Sequence, residues 1–256
     1  MRISLLQYPI EWADKSINLS LWEQRLTALV GTTDVAVLPE MFTTAFCTDQ
    51  MDLAEPMEGN TVAWLKTWSK NTGIALMGSF MAEEQGKRYN RAFFVTPQGN
   101  FFYADKRHLF TMGGEREHFS EGNNVLQVHY LGVNIRVLVC YDLRFPVWAR
   151  NVNNAYDVLV YVANWPSVRI TDWDILLPAR AVENQAYVCG VNRVGNTPTD
   201  LHYNGHSVIL DPRGRVVGKL PDDAEGVITT TIDMQLLEKG RTKFPVWKDA
   251  DSFTII

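Results

Sequence analysis

Apolar runs of strand length recur along the whole chain, and amphipathic helical patterns lie between only some of them. The strands that these runs predict are Ile3–Gln7, Val35–Leu38, Ile74–Phe80, Ala92–Thr96, Phe101–Ala104, Val125–Tyr130, Val133–Cys140, Val158–Ala163, Tyr187–Asn192, Ser207–Leu210, Val216–Leu220 and Val227–Ile232. Consecutive strand patterns predict hairpins over Phe80–Asp105 and Val125–Cys140, with a turn at Thr96–Asn100. This mixture predicts an α/β fold with large mixed sheets covered by helices, rather than a purely parallel sheet.

Helical patterns are found in a few longer segments. They are the stretch from Ile17 to Val30, then Thr61–Asn71, Pro146–Asn151 and Thr171–Asn184. Within the last, Pro178 is expected to kink the helix or to end a turn, because proline lacks a backbone N–H. No Gly/Ser-rich stretch, block of like charge or internal repeat divides the sequence, so residues 1–256 are expected to form a single domain.

Composition narrows the class of partner. The chain is 46% hydrophobic and 21% charged, which is typical of a globular protein. Its net charge of −5 provides no general field that would attract nucleic acid or an anionic membrane, so neither is expected as a partner. A bound anion must therefore be held by local cations.

Cysteine usage and apolar run lengths predict the compartment. Cys47, Cys140 and Cys189 are an odd number, widely spaced and without a CxxC pair, so neither a disulfide framework nor a zinc site is expected. Runs such as Val158–Ala163 are far shorter than the ~20 residues that span a bilayer. Met1–Pro9 reads as a strand rather than a signal peptide, and we therefore expect a cytoplasmic protein.

Three reactive residue types each stand just past an apolar strand: Glu40, Lys106 and Cys140. Strand ends are where open α/β sheets place ligands, so several strands that end at one edge could bring these side chains together. Taken alone, each has a commoner structural explanation. A cysteine at a strand end is usually a buried small hydrophobe, a lone glutamate a cap or ion-pair partner, and a lysine a surface cation.

The chemistry of the three types is complementary. A cysteine is a good nucleophile once a base removes its proton, and a partly desolvated Glu40 can be that base. Lys106 would favour the thiolate and donate to the oxyanion formed when Cys140 adds to a carbonyl, with the backbone N–H of Tyr141 as a second donor. The set suits attack on an amide or nitrile carbon, with Glu40 passing the proton to the departing nitrogen and later activating water.

The sequence around these positions resembles the three signature segments of the nitrilase superfamily, the carbon–nitrogen hydrolases. The segments are Leu38–Phe42, Tyr103–Phe110 and Val139–Pro146, and the resemblance continues at Asn164–Pro166 and Arg180–Asn184. It extends over nearly the whole chain. Three ordered motifs in one chain are highly specific.

The resemblance implies a four-layer α-β-β-α sandwich, a site with no metal or organic cofactor, and homodimers joined through helices near the nucleophile. It implies that Glu40 is the general base, Lys106 the oxyanion-stabilising cation and Cys140 the nucleophile. Glu115 matches a second family glutamate that orients Lys106 and the substrate amide, with Glu117 as the nearby competitor.

Within the superfamily, Cys140–Pro146 most resembles the omega-amidase branch, which hydrolyses the terminal amide of 2-oxoglutaramate and succinamate. Other amidases of the superfamily, acting on deaminated glutathione or on aliphatic amides, remain alternatives. A small acidic amide needs a further cation. Arg144 is the candidate, although it could instead pair with Asp142 or another carboxylate. The candidate aromatic walls of the pocket are Phe42, Phe46 and Trp165.

Two other enzyme classes and a non-enzymatic role are alternatives for this sequence. A Cys-His hydrolase would pair Cys140 with His108 or His118. A zinc hydrolase would use His202 and His206, but the intervening Asn-Gly predicts a turn and HExxH is absent, so no metal is expected. A non-catalytic binding protein would keep the fold and have an unreactive cysteine.

Overall fold

A computed structural model describes residues 1–255. Its strands are β1 (Arg2–Gln7), β2 (Val35–Val37), β3 (Ala75–Glu84), β4 (Lys87–Val95), β5 (Phe101–Asp105), β6 (Leu126–Tyr130), β7 (Val133–Val139), β8 (Val158–Ala163), β9 (Tyr187–Asn192), β10 (Val194–Asn196), β11 (His202–Asn204), β12 (Val208–Leu210), β13 (Val216–Lys219) and β14 (Gly226–Thr231). Its helices are α1 (Lys15–Thr27), α2 (Asn60–Thr72), α3 (Glu115–His118), α4 (Pro146–Ala149), α5 (Ile170–Asn184) and α6 (Met234–Lys243).

Two six-stranded sheets form the body of the fold. The first has the order β14-β1-β2-β3-β4-β5 and the second the order β13-β12-β9-β8-β7-β6. Each sheet has three parallel strands at its centre, β1-β2-β3 and β7-β8-β9, flanked by antiparallel strands. The prediction of mixed sheets is therefore confirmed, as are both predicted hairpin regions.

Side-chain alternation along the strands explains the layering. Val35 and Val37 of β2 lie in the cluster that contains Ile135 and Val137 of β7, so the two sheets pack face to face. Ala36 of β2 points the other way, into a cluster with side chains of α1 and α2. Trp173 and Leu177 of α5 and Leu159 of β8 belong to the core on the second sheet. The result is the expected α-β-β-α sandwich.

The helix α5 does not end at Pro178, where the sequence suggested an interruption. Trp173, Leu177 and Ala181, which lie on both sides of the proline, are fully buried. Their burial favours the helix by more than the ~3 kcal/mol that an interior proline costs. Within the described part of the chain, every helix is too short or too polar to cross a membrane.

Candidate active site

The carboxyl ends of three strands bring Glu40, Lys106 and Cys140 together where the two sheets meet. Glu40 lies in the turn after β2, Lys106 directly follows β5, and Cys140 directly follows β7. Because β5 is antiparallel to β4, and β4 to β3, β5 runs in the same direction as β2. Their ends therefore reach the same side of the first sheet, and the second sheet supplies Cys140.

A fully buried ammonium lies between two carboxylates. Lys106 Nζ is 3.0 Å from Glu40 Oε1 and 2.8 Å from Glu115 Oε2, and all three side chains are shielded from solvent. Burial disfavours the charged lysine, but the charges of Glu115 and Glu40 outweigh it and raise the pKa of Lys106. The ammonium is therefore held in place and positively charged. Glu117, the competitor of Glu115, is exposed.

Two asparagines complete this group. Asn90 Nδ2, on β4, donates to Glu40 Oε1 at 2.8 Å and to Glu115 Oε1 at 3.0 Å. The backbone N–H of Asn164, after β8, donates to Glu40 Oε2 at 2.8 Å, and its side-chain amide donates to the Glu40 backbone carbonyl at 2.6 Å. Glu40 is thus fixed by donors from both sheets, and its carboxylate is oriented before any ligand binds.

Cys140 begins a tight turn with a left-handed backbone angle, φ 45°. Such a conformation is costly for a residue other than glycine, and Asp142 helps to hold it. Asp142 accepts hydrogen bonds from the backbone N–H groups of Val139 and His108, each at 3.0 Å. Tyr141 is the second residue of this 3₁₀ turn, where a backbone N–H has no partner within the turn and is available to a ligand oxygen.

The surroundings of Cys140 favour the protonated form of its thiol. Burial raises its pKa well above the usual value, the Glu40 carboxylate raises it further as a charge and as an acceptor, and Lys106 only partly opposes this. Burial also raises the pKa of Glu115, against the effect of Lys106. A protonated thiol beside a carboxylate can transfer its proton when an electrophile arrives.

Lys106 and Cys140 border a cavity of about 210 Å³. Its lining includes Lys106, Cys140, Tyr141 and Asn164, together with aromatic side chains and the arginines Arg144 and Arg169. Residues from the short hairpin β10–β11 and its loop also line it. No aspartate or glutamate among residues 1–255 lines the cavity, so its surface is aromatic and cationic.

Comparison with known proteins places this arrangement in a family. The sequence profile of the family "Carbon-nitrogen hydrolase" matches residues 2–242. The chain belongs to the carbon–nitrogen hydrolases. This carbon–nitrogen hydrolase is 40% identical to "Omega-amidase YafV" of Escherichia coli strain K12, over 100% of this chain and 98% of the relative. It is 34% identical to "2-oxoglutaramate amidase" of Bacillus subtilis, over 96% of each chain.

A solved structure of a relative has the same fold. It is a CN-hydrolase superfamily protein from Xanthomonas campestris with an arsenic adduct in its active site. The two chains are 40% identical and superpose with a TM-score of 0.97, over 100% of this hydrolase and 99% of the relative. The predicted nitrilase-like sandwich is therefore confirmed.

Three of the four candidate pocket residues of this hydrolase line the cavity, and one does not. Phe46 and Trp165 line the cavity, as predicted. Arg144 lines it too, and also pairs with Asp172 at 2.6 Å rather than with Asp142. The expectation for Phe42 is wrong, because its fully buried ring packs in the outer core against the rings of other residues and does not line the cavity. Those rings belong to Trp22, Trp64 and Phe93.

The histidines are engaged elsewhere. His108 Nδ1 lies 2.8 Å from Asp142 Oδ1, and its ring stacks on Phe145 with centroids 3.7 Å apart. His202 and His206 hydrogen-bond different partners, Asn196 and Asp174. Within residues 1–255, no group of three His, Cys, Asp or Glu side chains is arranged to hold a metal ion.

The sequence alone did not indicate that Asn90 and Asn164 hydrogen-bond the Glu40 carboxylate. It also did not indicate that Arg169 lines the cavity. Asn90 lies in the middle of a strand with no motif around it. Asn164 falls within a family segment, but its contribution comes largely from a backbone N–H, which residue type does not reveal. For Arg169 the available signal is its position, because it is a cation only three residues after the family segment Asn164–Pro166.

Proposed function

We propose that this carbon–nitrogen hydrolase is an omega-amidase, which hydrolyses the terminal amide of a short omega-amido acid such as 2-oxoglutaramate or succinamate and releases ammonia. The main support is that Lys106, held by the buried carboxylates of Glu40 and Glu115, lines one cationic cavity together with Cys140. The names of the two relatives, omega-amidase and 2-oxoglutaramate amidase, agree with this class of substrate.

The proposed first half-reaction forms a thioester. As the substrate amide enters, Cys140 Sγ transfers its proton to Glu40 and the sulfur attacks the amide carbon. The carbonyl oxygen becomes an oxyanion that Lys106 Nζ and the backbone N–H of Tyr141 stabilise. The carbon–nitrogen bond then breaks, Glu40 returns the proton to the nitrogen, and ammonia leaves.

The second half-reaction removes the acyl group. Glu40 takes a proton from a water molecule, whose oxygen attacks the thioester carbon and forms a second oxyanion at the same donors. The carbon–sulfur bond breaks, the sulfur of Cys140 regains a proton from Glu40, and the dicarboxylate product departs. Atoms balance with one water consumed for each ammonia released, and no cofactor is required.

Lys106 needs help to serve both steps. Its ammonium must stay charged although the side chain is fully buried, and Glu115, at 2.8 Å, supplies the counter-charge while leaving Glu40 free to move protons. We therefore assign Glu115 as the residue that positions Lys106. The ring centre of Phe46, another residue of the cavity wall, lies 5.5 Å from Lys106 Nζ, within the range of a cation–π interaction with the ammonium.

The shape and charge of the cavity favour a short acid. A volume of about 210 Å³ suits a four- or five-carbon amide better than a peptide-sized substrate such as deaminated glutathione. The guanidinium groups of Arg144 and Arg169 give the pocket a positive potential that favours an anionic substrate. A neutral aliphatic amide would leave the guanidinium of Arg169 without an anionic partner.

We further propose that residues 1–256 act as one domain, as a homodimer, in the cytoplasm. Support for the dimer comes from apolar side chains exposed on α4 and α5, namely Val147, Ile175 and Val182. The three cysteines of the described chain are free, as a reducing compartment allows. Sedimentation equilibrium should give twice the monomer mass, and a monomer at micromolar concentration would contradict the dimer.

Ammonia release across a panel of substrates tests the proposed activity. The panel contains 2-oxoglutaramate, succinamate, butyramide, a short nitrile and a carbamoyl amino acid, with Cys140→Ala as the matched control. We expect the two amido acids to be hydrolysed fastest and the control to be inactive. Fast turnover of the nitrile or the carbamoyl compound alone would contradict the proposal.

A further inference from the structure

Two arginines line the cavity, but among residues 1–255 only Arg144 has a carboxylate partner. Arg144 Nη2 lies 2.6 Å from Asp172 Oδ2, and its guanidinium also lies 5.0 Å from the ring centre of Trp165. The charge of Arg144 is therefore largely compensated within the fold. A substrate carboxylate at this position would compete with Asp172.

Arg169 is different. No carboxylate of residues 1–255 lies within 4.0 Å of its guanidinium, and the side chain makes no hydrogen bond to another residue of that range. Its guanidinium carbon lies 5.2 Å from the ring centre of Phe110, another residue of the cavity wall. A guanidinium that lines a cavity and makes no hydrogen bond to the protein has its N–H donors available to an anion.

The backbone of Arg169 is fixed, so its side chain starts from a defined point. Arg169 ends the turn that leads into α5, and its N–H donates to the Pro166 carbonyl at 3.0 Å. Its own carbonyl accepts from the indole N–H of Trp165 at 2.8 Å. Trp165 in turn follows Asn164, which holds Glu40. The same short segment therefore positions both the base and the free guanidinium.

We propose that Arg169 is the specificity-determining residue that binds the carboxylate of the substrate while Cys140 attacks the amide carbon. This inference rests on the proposed omega-amidase function and names the group that selects the acid. A planar guanidinium with several free N–H donors can bind a carboxylate through two parallel hydrogen bonds. Arg144, already paired with Asp172, borders the pocket and contributes less to the choice of substrate.

The test compares an acidic with a neutral substrate of the same length. Succinamate ends in a carboxylate where butyramide ends in a methyl group, so the ratio of their kcat/KM values measures recognition of the charge. A charge-assisted hydrogen-bond pair corresponds to about 10- to 100-fold in this ratio. We expect Arg169→Gln to lower the ratio by that factor and Arg169→Lys to lower it less. Arg215→Gln, which removes an exposed charge outside the cavity, should leave it unchanged.

Three results would overturn the inference. They are an unchanged ratio in Arg169→Gln, an equal loss on both substrates, and a larger fall of the ratio in Arg144→Gln than in Arg169→Gln. Thermal unfolding of each variant shows whether the variant is folded. An equal loss in a folded variant would mean that Arg169 acts on the reaction itself and not on recognition of the acid.

A binding measurement separates this inference from the proposed function. Succinate, the product of succinamate hydrolysis, should slow alkylation of Cys140 by iodoacetamide in the wild type and fail to do so in Arg169→Gln. If the wild type releases no ammonia from any amide but succinate still protects Cys140 through Arg169, the function is wrong and the carboxylate site stands. If succinate protects both proteins equally, the carboxylate site is wrong.

Discussion

The ammonium of Lys106 lies 3.0 Å from the carboxylate of Glu40, and both side chains are completely buried. An isolated pair of this kind is costly to desolvate, and the pair is stable here because other polar groups surround it. Glu115 adds a second carboxylate to the lysine, and Asn90 donates to both glutamates. The cluster therefore sets the positions of a base and a cation beside Cys140.

Glu115→Gln should slow turnover by about 100-fold, mainly through kcat, because the buried ammonium loses its second counter-charge and its orientation. KM for succinamate should change little, since Glu115 does not line the cavity. Steady-state kinetics checks this, with the exposed Glu117→Gln as the matched control. A larger loss in Glu117→Gln would reverse the assignment of the two glutamates.

Glu40→Gln should abolish turnover and yet make the Cys140 thiol more acidic. In the wild type, Glu40 raises the pKa of Cys140, whereas Lys106 lowers it. Removing the negative charge of Glu40 leaves the effect of Lys106, which lowers the pKa of the thiol. The pH midpoint for alkylation of Cys140 by iodoacetamide should therefore shift downward. The pH dependence of the alkylation rate measures this midpoint.

The other two cysteines provide an internal reference for that experiment. Burial raises the pKa of Cys47 to about 11 and that of Cys189 to about 12, so neither should be alkylated near neutral pH. An upward shift of the Cys140 midpoint in Glu40→Gln would show that the charge of Glu40 does not raise the pKa of this thiol.

Asn90→Ala should move the acid-side loss of activity to higher pH. The hydrogen bond from Asn90 lowers the pKa of Glu115, against the effect of burial. Without this bond the pKa of Glu115 rises, so the carboxylate that positions Lys106 becomes protonated earlier as the pH falls. The pH profile of kcat reports the shift, and Asn100→Ala, in an exposed turn, is the control. If kcat is lost at the same low pH in Asn90→Ala as in the wild type, Glu115 is not the group whose protonation causes that loss.

The double variant His108→Ala, His118→Ala should retain turnover within about 10-fold, because neither imidazole serves as the base in the proposed reaction. It should be less stable by about 1–2 kcal/mol, since His108 bonds Asp142 and stacks on Phe145. Thermal unfolding and ammonia release measure the two effects separately. Complete loss of turnover in a folded double variant would support a Cys-His hydrolase instead.

Most of the fold could be predicted because strand length, periodicity and turn residues are local properties. The hairpin β10–β11 was missed, since its strands have three residues each and a polar sequence around them. This matters because Thr197 and Tyr203, from the hairpin and its loop, line the cavity. Short strands are stabilised by what they pack against, and sequence pattern does not show that.

The site was predictable to the extent that it follows strand ends. Glu40, Lys106 and Cys140 each stand after an apolar run, and the family segments added Glu115. The direction of a side chain within a turn was not predictable, and Phe42 was wrongly expected to face the pocket when it packs in the outer core. Partners at long range, such as Asp172 for Arg144, also depend on tertiary contacts.

Peptide mass spectrometry of the hydrolase, quenched with acid during turnover of succinamate, tests the central claim most directly. The account predicts a succinyl group on the peptide that contains Cys140, and unmodified Cys47 and Cys189. An acyl group found on a peptide without Cys140, while ammonia is being released, would contradict a thioester at that sulfur.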